Sequence, residues 1–160
     1  MKKAVLLLAA VILSSALIAQ KDQIVIKGEV VNSTSKVNDY TINVYEKGKV
    51  VSSMDLTKNT FSYTVPKDSE IMLEFVAAGH YTKRIAFDSK LDESLKKIPR
   101  LDLKMNLIEK AEGDHCESIL DLLDMPTAFI TYSNEKEYFD KNLRYSKVIK
   151  KEIEDQLALR

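Results

Sequence analysis

Apolar and polar residues alternate with a period of two in seven short segments between positions 23 and 107. In 23–31, Ile24, Ile26, Gly28 and Val30 alternate with Lys27 and Glu29, the pattern of a strand with one face on a core. The polar run 32–39 (NSTSKVND) is built from turn formers and separates it from the next strand, 40–45, where Tyr40, Ile42 and Val44 share a face. Lys47-Gly48-Lys49 predicts a hairpin turn with Gly48 at positive φ, returning along 50–56. Lys58-Asn59 predicts a second turn, with Asn59 in a left-handed backbone. Strand 61–65 follows and ends at Pro66, which cannot donate to a ladder. Strands 71–76 and 81–87 flank Ala77-Ala78-Gly79-His80, and 100–107 alternates most cleanly, with Leu101, Leu103, Met105 and Leu107 on one side. Seven short strands with turn chemistry between them predict an antiparallel β-sandwich with Greek-key connections.

Beyond residue 108 the period changes. The segment 109–115 is polar and broken by Gly113, and 118–123 is too short to assign. Residues 128–132 are strand-like after Pro126. From 142 to 159, Tyr145, Val148, Ile149, Ile153 and Leu157 recur at three- and four-residue steps, predicting an amphipathic helix. The default is a helix packed on its own domain; docking on a partner and a free coiled-coil arm are the alternatives, and two heptads are few for the latter. The fold class is therefore mainly β, with a C-terminal α/β extension ending in that helix.

The N-terminus has a different character. Lys2 and Lys3 precede an apolar run, and Ser14, Ser15, Ala16 and Ala19 supply small residues for a cut after Ala19, or alternatively after Ala16. This reads as an export signal over 1–19. The alternative is a retained anchor, but the apolar stretch 4–18 is shorter than the ~20 residues that span a bilayer core. The expected organisation is signal 1–19, sandwich 20–108 and extension 109–160.

Composition narrows the function classes. Without Lys2 and Lys3, acidic side chains outnumber basic ones by two, and no concentrated positive charge favours nucleic acid. Lys147, Lys150 and Lys151 are followed at once by Glu152, Glu154 and Asp155, a solvated helix face. Cys116 is the single cysteine, so no intramolecular disulfide can form. It is either buried, as the neighbouring Ile119, Leu120, Leu122 and Leu123 favour, or a route to a disulfide dimer. The absence of tryptophan weakens a sugar-stacking reading, although seven tyrosines remain.

The strand block carries a resemblance. Lys27-Gly28-Glu29-Val30 in the first strand, Ile42-Asn43-Val44-Tyr45 in the second, Phe61-Ser62-Tyr63 opening the fourth, and Gly79-His80-Tyr81 between late strands stand in order over 23–87. This block resembles the carboxypeptidase regulatory-like domains of Bacteroidetes cell-envelope proteins; Asn59-Thr60 stands where that family usually has a glycine. The tail, Met125-Pro126-Thr127-Ala128-Phe129-Ile130-Thr131-Tyr132, then Phe139-Asp140 and a lysine-rich helix, is similar to the C-terminal region of small exported Bacteroidetes proteins that place this sandwich first. The resemblance implies a transthyretin-like seven-stranded sandwich without zinc peptidase chemistry, acting as a folding, spacing or docking module.

The residues offer little reactive chemistry. Asp114-His115-Cys116-Glu117 is the densest cluster of potential metal ligands, but neighbours on an extended chain point to opposite sides and do not converge on one ion. His115 beside Cys116 does not secure a nucleophile–base geometry, and His80, the other histidine, is distant in sequence. No Gly-x-Ser-x-Gly elbow, phosphate loop or His-Glu-x-x-His motif is present. Asp121 and Asp124 flank leucines and read as capping or solvated residues. No catalytic residue, metal ligand or cofactor is therefore assigned.

Candidate contacts with a ligand or partner are His80 and Tyr81 at a strand-end loop, and a platform of Tyr132, Tyr138 and Tyr145. The expectation is a non-catalytic exported module, periplasmic or outer-membrane-associated, with an extracellular location as the alternative, whose partner is another envelope protein or complex. Glycan or peptide binding by the loops 32–39 and 77–81 is the alternative; no transmembrane span is expected once the signal is removed.

Overall fold

A computed structural model describes residues 23–93, 95, 98–111 and 117–159. The expected signal at 1–19, and the cluster residues Asp114, His115 and Cys116, lie outside the described residues. The strands are β1 (Gln23–Val31), β2 (Tyr40–Glu46), β3 (Lys49–Leu56), β4 (Thr60–Pro66), β5 (Glu70–Ala77), β6 (Lys83–Asp88), β7 (Leu101–Asn106), β8 (Ala128–Ser133) and β9 (Tyr138–Lys141). The helices are α1 (Glu117–Asp124) and α2 (Leu143–Ala158).

The strands form two sheets, ordered β4-β1-β7 and β3-β2-β5-β6-β8-β9. Their apolar faces share one core, in which Ile24, Ile26, Val30, Ile42, Val44, Val65, Leu73 and Phe75 are wholly excluded from solvent. The rings of Phe61 on β4 and Phe75 on β5 meet edge to face at 5.5 Å across the space between the sheets, a favoured aromatic geometry.

Seven strands fall within 23–107 as the alternation predicts, but the antiparallel expectation is corrected at two pairings. β1 and β7 are parallel, and so are β6 and β8. Alternation reports which face a strand buries and is silent on the direction of its neighbour. The 109–160 segment brings the strand total, among the described residues, to nine. It widens the larger sheet by two strands, and its Ile130 and Phe139 enter the main core, Phe139 stacking obliquely on Phe87 at 4.9 Å.

Turn chemistry is visible at two positions. Lys47 and Gly48 both take positive φ (50° and 75°) between the paired Glu46 and Lys49, a two-residue turn whose twist matches that of the strands. Asn59 takes no positive φ; its carbonyl instead accepts the Val30 amide at 2.7 Å, so a strand-like contact fixes that turn. Gly28 pairs with Phe61, and a Cβ there would stand 2.4 Å from the Leu103 carbonyl oxygen and 2.7 Å from the Phe61 ring. The glycine in the first strand is a packing requirement.

The helices cover the outer face of the larger sheet at its β6–β8 end. They close a second, smaller apolar cluster of Tyr81, Ile119, Leu123, Ile149 and Ile153, flanked by Ile108, Leu122, Tyr145 and Leu157. Tyr145, Ile149, Ile153 and Leu157 of the stripe predicted for α2 form this face, whereas Val148 is turned to solvent. Asn142 caps α2 by accepting the Tyr145 amide at 3.1 Å, which satisfies one of the donors a helix start leaves open.

Candidate functional site

The five sequence-predicted contact residues do not form one site. His80 and Tyr81 lie in a loop cluster at one end of the two sheets. His80 bridges Glu109, the Lys110 amide donates to the Gly79 carbonyl at 2.9 Å, and the Tyr81 amide donates to Ile108. Asn32 also donates to the Glu109 carboxylate. The His80 imidazole folds back, with Nδ1 2.8 Å from the Ala78 carbonyl oxygen and Nε2 buried without a partner. Tyr81 precedes β6 instead of opening it. Its ring is 1% exposed in the helix-covered cluster, and the Lys110 ammonium lies 5.2 Å from the ring centre. Tyr81 is a core residue: the helices that follow 116 bury a ring that looked like a loop-end contact.

Tyr132, Tyr138 and Tyr145 do not make a platform. Tyr132 faces inward with Ile130 and meets Phe139 at 5.5 Å. Tyr138 precedes Phe139 on β9, so the pleat turns it to the opposite face, where it is half exposed. Tyr145 packs on Phe129 at 4.8 Å and donates its hydroxyl to the Pro126 carbonyl at 2.7 Å. The tyrosines belong to packing layers on both sides of one sheet.

A polar network on the outer face of the larger sheet carries the strongest electrostatics. Glu74 on β5 is 6% exposed. Its Oε2 accepts Asn43 Nδ2 at 2.9 Å and the Tyr45 hydroxyl at 3.0 Å, and its Oε1 accepts Arg84 Nε at 2.8 Å. Ser53 extends the row by donating to Asn43 at 2.8 Å. Burial works to raise the Glu74 pKa, but the hydrogen bonds from Asn43, Arg84 and Tyr45 and the guanidinium charge hold it below the usual glutamate range. The same carboxylate raises the Tyr45 pKa, chiefly through the hydrogen bond it accepts.

Arg84 then reaches past the sheet. Its second guanidinium arm donates to the Asp124 main-chain carbonyl and to Asp124 Oδ1, both at 2.9 Å. α1 has no basic residue in its own last turn, so a strand arginine supplies the cation that a helix C-terminus favours. The network is satisfied internally. Its role is to fasten α1 to the sheet; Asp124, which reads in the sequence as a capping or solvated residue, is paired with Arg84 at the last position of α1. An acid inside the apolar run IMLEFVA was the available signal for Glu74.

Fastened this way, α1 lies beside α2 with an open groove between them. Ser118, Asp121, Leu122 and Met125 line one wall and Ile149, Glu152 and Gln156 the other, with an open volume of about 430 Å³. The Ser118 hydroxyl donates to Gln156 Oε1 at 2.8 Å across it. Met125 is 56% exposed and Val148, beside Glu152 on α2, 51%. Sequence reading left α1 unassigned, so its half of the groove was not legible; Ile119, Leu122 and Leu123 at three- and four-residue steps were the trace of it.

Lys83 is a second unusual charge. Its Nζ donates to the Asn106 carbonyl at 2.8 Å, tying β6 to the smaller sheet. Burial, together with the charges of Lys141 and Lys150, pulls its pKa down to about 8. Among the described residues no group of three or more His, Cys, Asp or Glu side chains is arranged to hold a metal ion, and no helix is long and apolar enough to cross a membrane.

No family model matches the chain, and no curated protein matches it. Similar solved structures include the Bacillus anthracis TIE protein, 12% identical, matched over 56% of this chain and 18% of that one with a TM-score of 0.45. A 3-chlorocatechol 1,2-dioxygenase from Rhodococcus opacus 1CP is 8% identical over 55% of this chain and 60% of its own, with a TM-score of 0.40. A catechol 1,2-dioxygenase from Pseudomonas arvilla C-1 is 9% identical over 56% and 53%, with a TM-score of 0.39. The chain thus spans less than two thirds of the length of each.

Proposed function

We propose that this protein is a non-catalytic module exported to the cell envelope, where a transthyretin-like sandwich of the carboxypeptidase regulatory-like kind carries a docking surface for another envelope protein. One observation supports the docking role above all. The helical layer leaves a groove with Leu122, Met125 and Ile149 in its lining and exposed carboxylates beside them, the mixture of an apolar centre and a polar rim that docking surfaces use. The polar clusters elsewhere, Glu74–Arg84 and Asn32–Glu109, are engaged in internal bonds. Export rests on the composition of 1–19.

Crosslinking of the full chain in its native envelope, followed by mass spectrometry, tests the reading. Recovery of one defined envelope protein in stoichiometric yield, from a chain whose N-terminus begins at Gln20, is the expected result. A chain that stays in the cytoplasm with its first 19 residues, or that is recovered alone from intact envelopes, would overturn it.

A further inference from the structure

We propose that the groove between α1 and α2 seats a basic amphipathic segment of the partner protein, with an apolar side chain on Leu122, Met125 and Ile149 and lysine or arginine side chains between Asp121 and Glu152. The inference rests on the docking reading and names the chemistry of what docks.

Three features of the groove select this occupant. The first is charge. Asp121 and Glu152 stand on opposite walls, the lining contains no basic residue, and neither carboxylate forms an ion pair with a described residue. On the same two helices Asp124 pairs with Arg84 and Glu154 with Lys150, and neither of these paired acids lines the groove. Two carboxylates facing one groove, unpaired among the described residues, attract a cationic segment and repel an acidic one, which steers encounter and rejects wrong partners.

The second is the apolar floor. Ile149 is buried, Leu122 is half-buried and Met125 is exposed, a graded surface on which an inserted aliphatic side chain gains contact at every depth. Methionine is unbranched and adapts its shape to what it meets. The third is the groove's construction. Both walls are helices, one fastened to the sheet by Arg84 and the other capped by Asn142. A groove between fixed helices suits a segment that presents side chains at one-turn spacing.

Fluorescence anisotropy with the full chain provides the test. The probe is a labelled synthetic helical peptide with leucines on one face and lysines beside them; its counterpart carries glutamate at every lysine position. The expected result is saturable binding of the lysine peptide, no binding of the glutamate peptide, and a loss of at least tenfold in Asp121→Lys/Glu152→Lys. Glu70→Lys/Glu93→Lys, which changes the net charge equally on other exposed surfaces, should shift affinity less than twofold. Equal losses in the two double variants would reduce the effect to diffuse charge and overturn the proposal, as would no binding of either peptide. Self-association of the free chain that the groove variant abolishes would make a second copy the occupant, again overturning it. Envelope crosslinking separates this inference from the reading beneath it. A partner captured equally by the groove variant removes the groove and leaves docking intact, whereas an empty capture by the parent chain removes docking itself.

Discussion

The core between the sheets and the cluster beneath the helices use the same aliphatic and aromatic side chains, yet they are closed in different ways. Between the sheets, strands from both ends of the chain contribute, and side chains such as Ile24, Leu73 and Phe75 are wholly buried. Under the helices, five side chains are buried and the partly exposed Leu122, Tyr145 and Leu157 form the margin. The first core is sealed by backbone ladders on both sides. The second depends on side chains reaching across a seam: Arg84 to Asp124, Tyr145 to Pro126, Ser118 to Gln156. A layer held by such contacts has apolar surface left over at its edge, and there the groove opens. The contrast separates a core closed by sheet on both sides from one with an open margin.

The comparison breaks most sharply on truncation. Ending the chain after Leu107 removes Ile130 and Phe139 from the main core together with β8 and β9. Each such loss costs about 2–5 kcal/mol, against a total stability of roughly 5–15 kcal/mol for a domain. The shortened chain should show no cooperative thermal transition by circular dichroism; a retained transition would make the extension a separable layer.

Next in size is Tyr81→Ala, which empties the centre of the helix-covered cluster. It should cost roughly 3–5 kcal/mol and show as early loss of helical signal while strand signal persists. A single unchanged transition would mean that the two clusters unfold as one.

Arg84→Met probes the seam. It leaves the buried Glu74 carboxylate without its cation, at a cost of roughly 3 kcal/mol in urea unfolding. Because the folded Glu74 pKa lies below its unfolded value, its contribution is present above the unfolded pKa and lost as pH falls through the folded one. The wild-type protein should therefore lose stability with acid more steeply than a Glu74→Gln variant. Equal acid slopes would remove Glu74 from the account.

A second pH effect, in the alkaline range, is expected at Lys83. Its folded pKa of about 8 lies below the ordinary 10.5, so the unfolded chain binds more protons between those values and stability should rise with pH across that window. Lys83→Gln should flatten the rise in denaturant titrations. The smallest effect belongs to Tyr40, whose hydroxyl is buried in the main core without a partner among the described residues and whose pKa burial pushes up to about 12. Tyr40→Phe should stabilise by about 1 kcal/mol; a loss of that size would point to a hydrogen bond at the hydroxyl.

Much of the fold was legible because alternation is a local record of one-sided burial. β1 occupies the residues its pattern marked, and the Lys47-Gly48 hairpin and α2 follow from turn chemistry and a 3.6-residue stripe. β9 was missed because four residues give too short a pattern, and its pairing with β8 makes it a strand. α1, at eight residues, is marginal alone and depends on packing. The site was less legible still. Tyr81 and Tyr132 turned from contact candidates into packing residues, and the Glu74–Arg84–Asp124 chain joins positions up to 50 residues apart that only the strand register and the placement of α1 bring together.

By itself the sequence determined which faces of the strands and of α2 are apolar, where the chain turns, and which reactive motifs are missing, since each of these is written within a few residues. Only the tertiary structure decided the parallel pairings, the union of Ile130 and Phe139 with the first core, the burial of Glu74 and the groove between α1 and α2. These depend on which apolar face meets which, and a local periodicity fixes the face without choosing its partner.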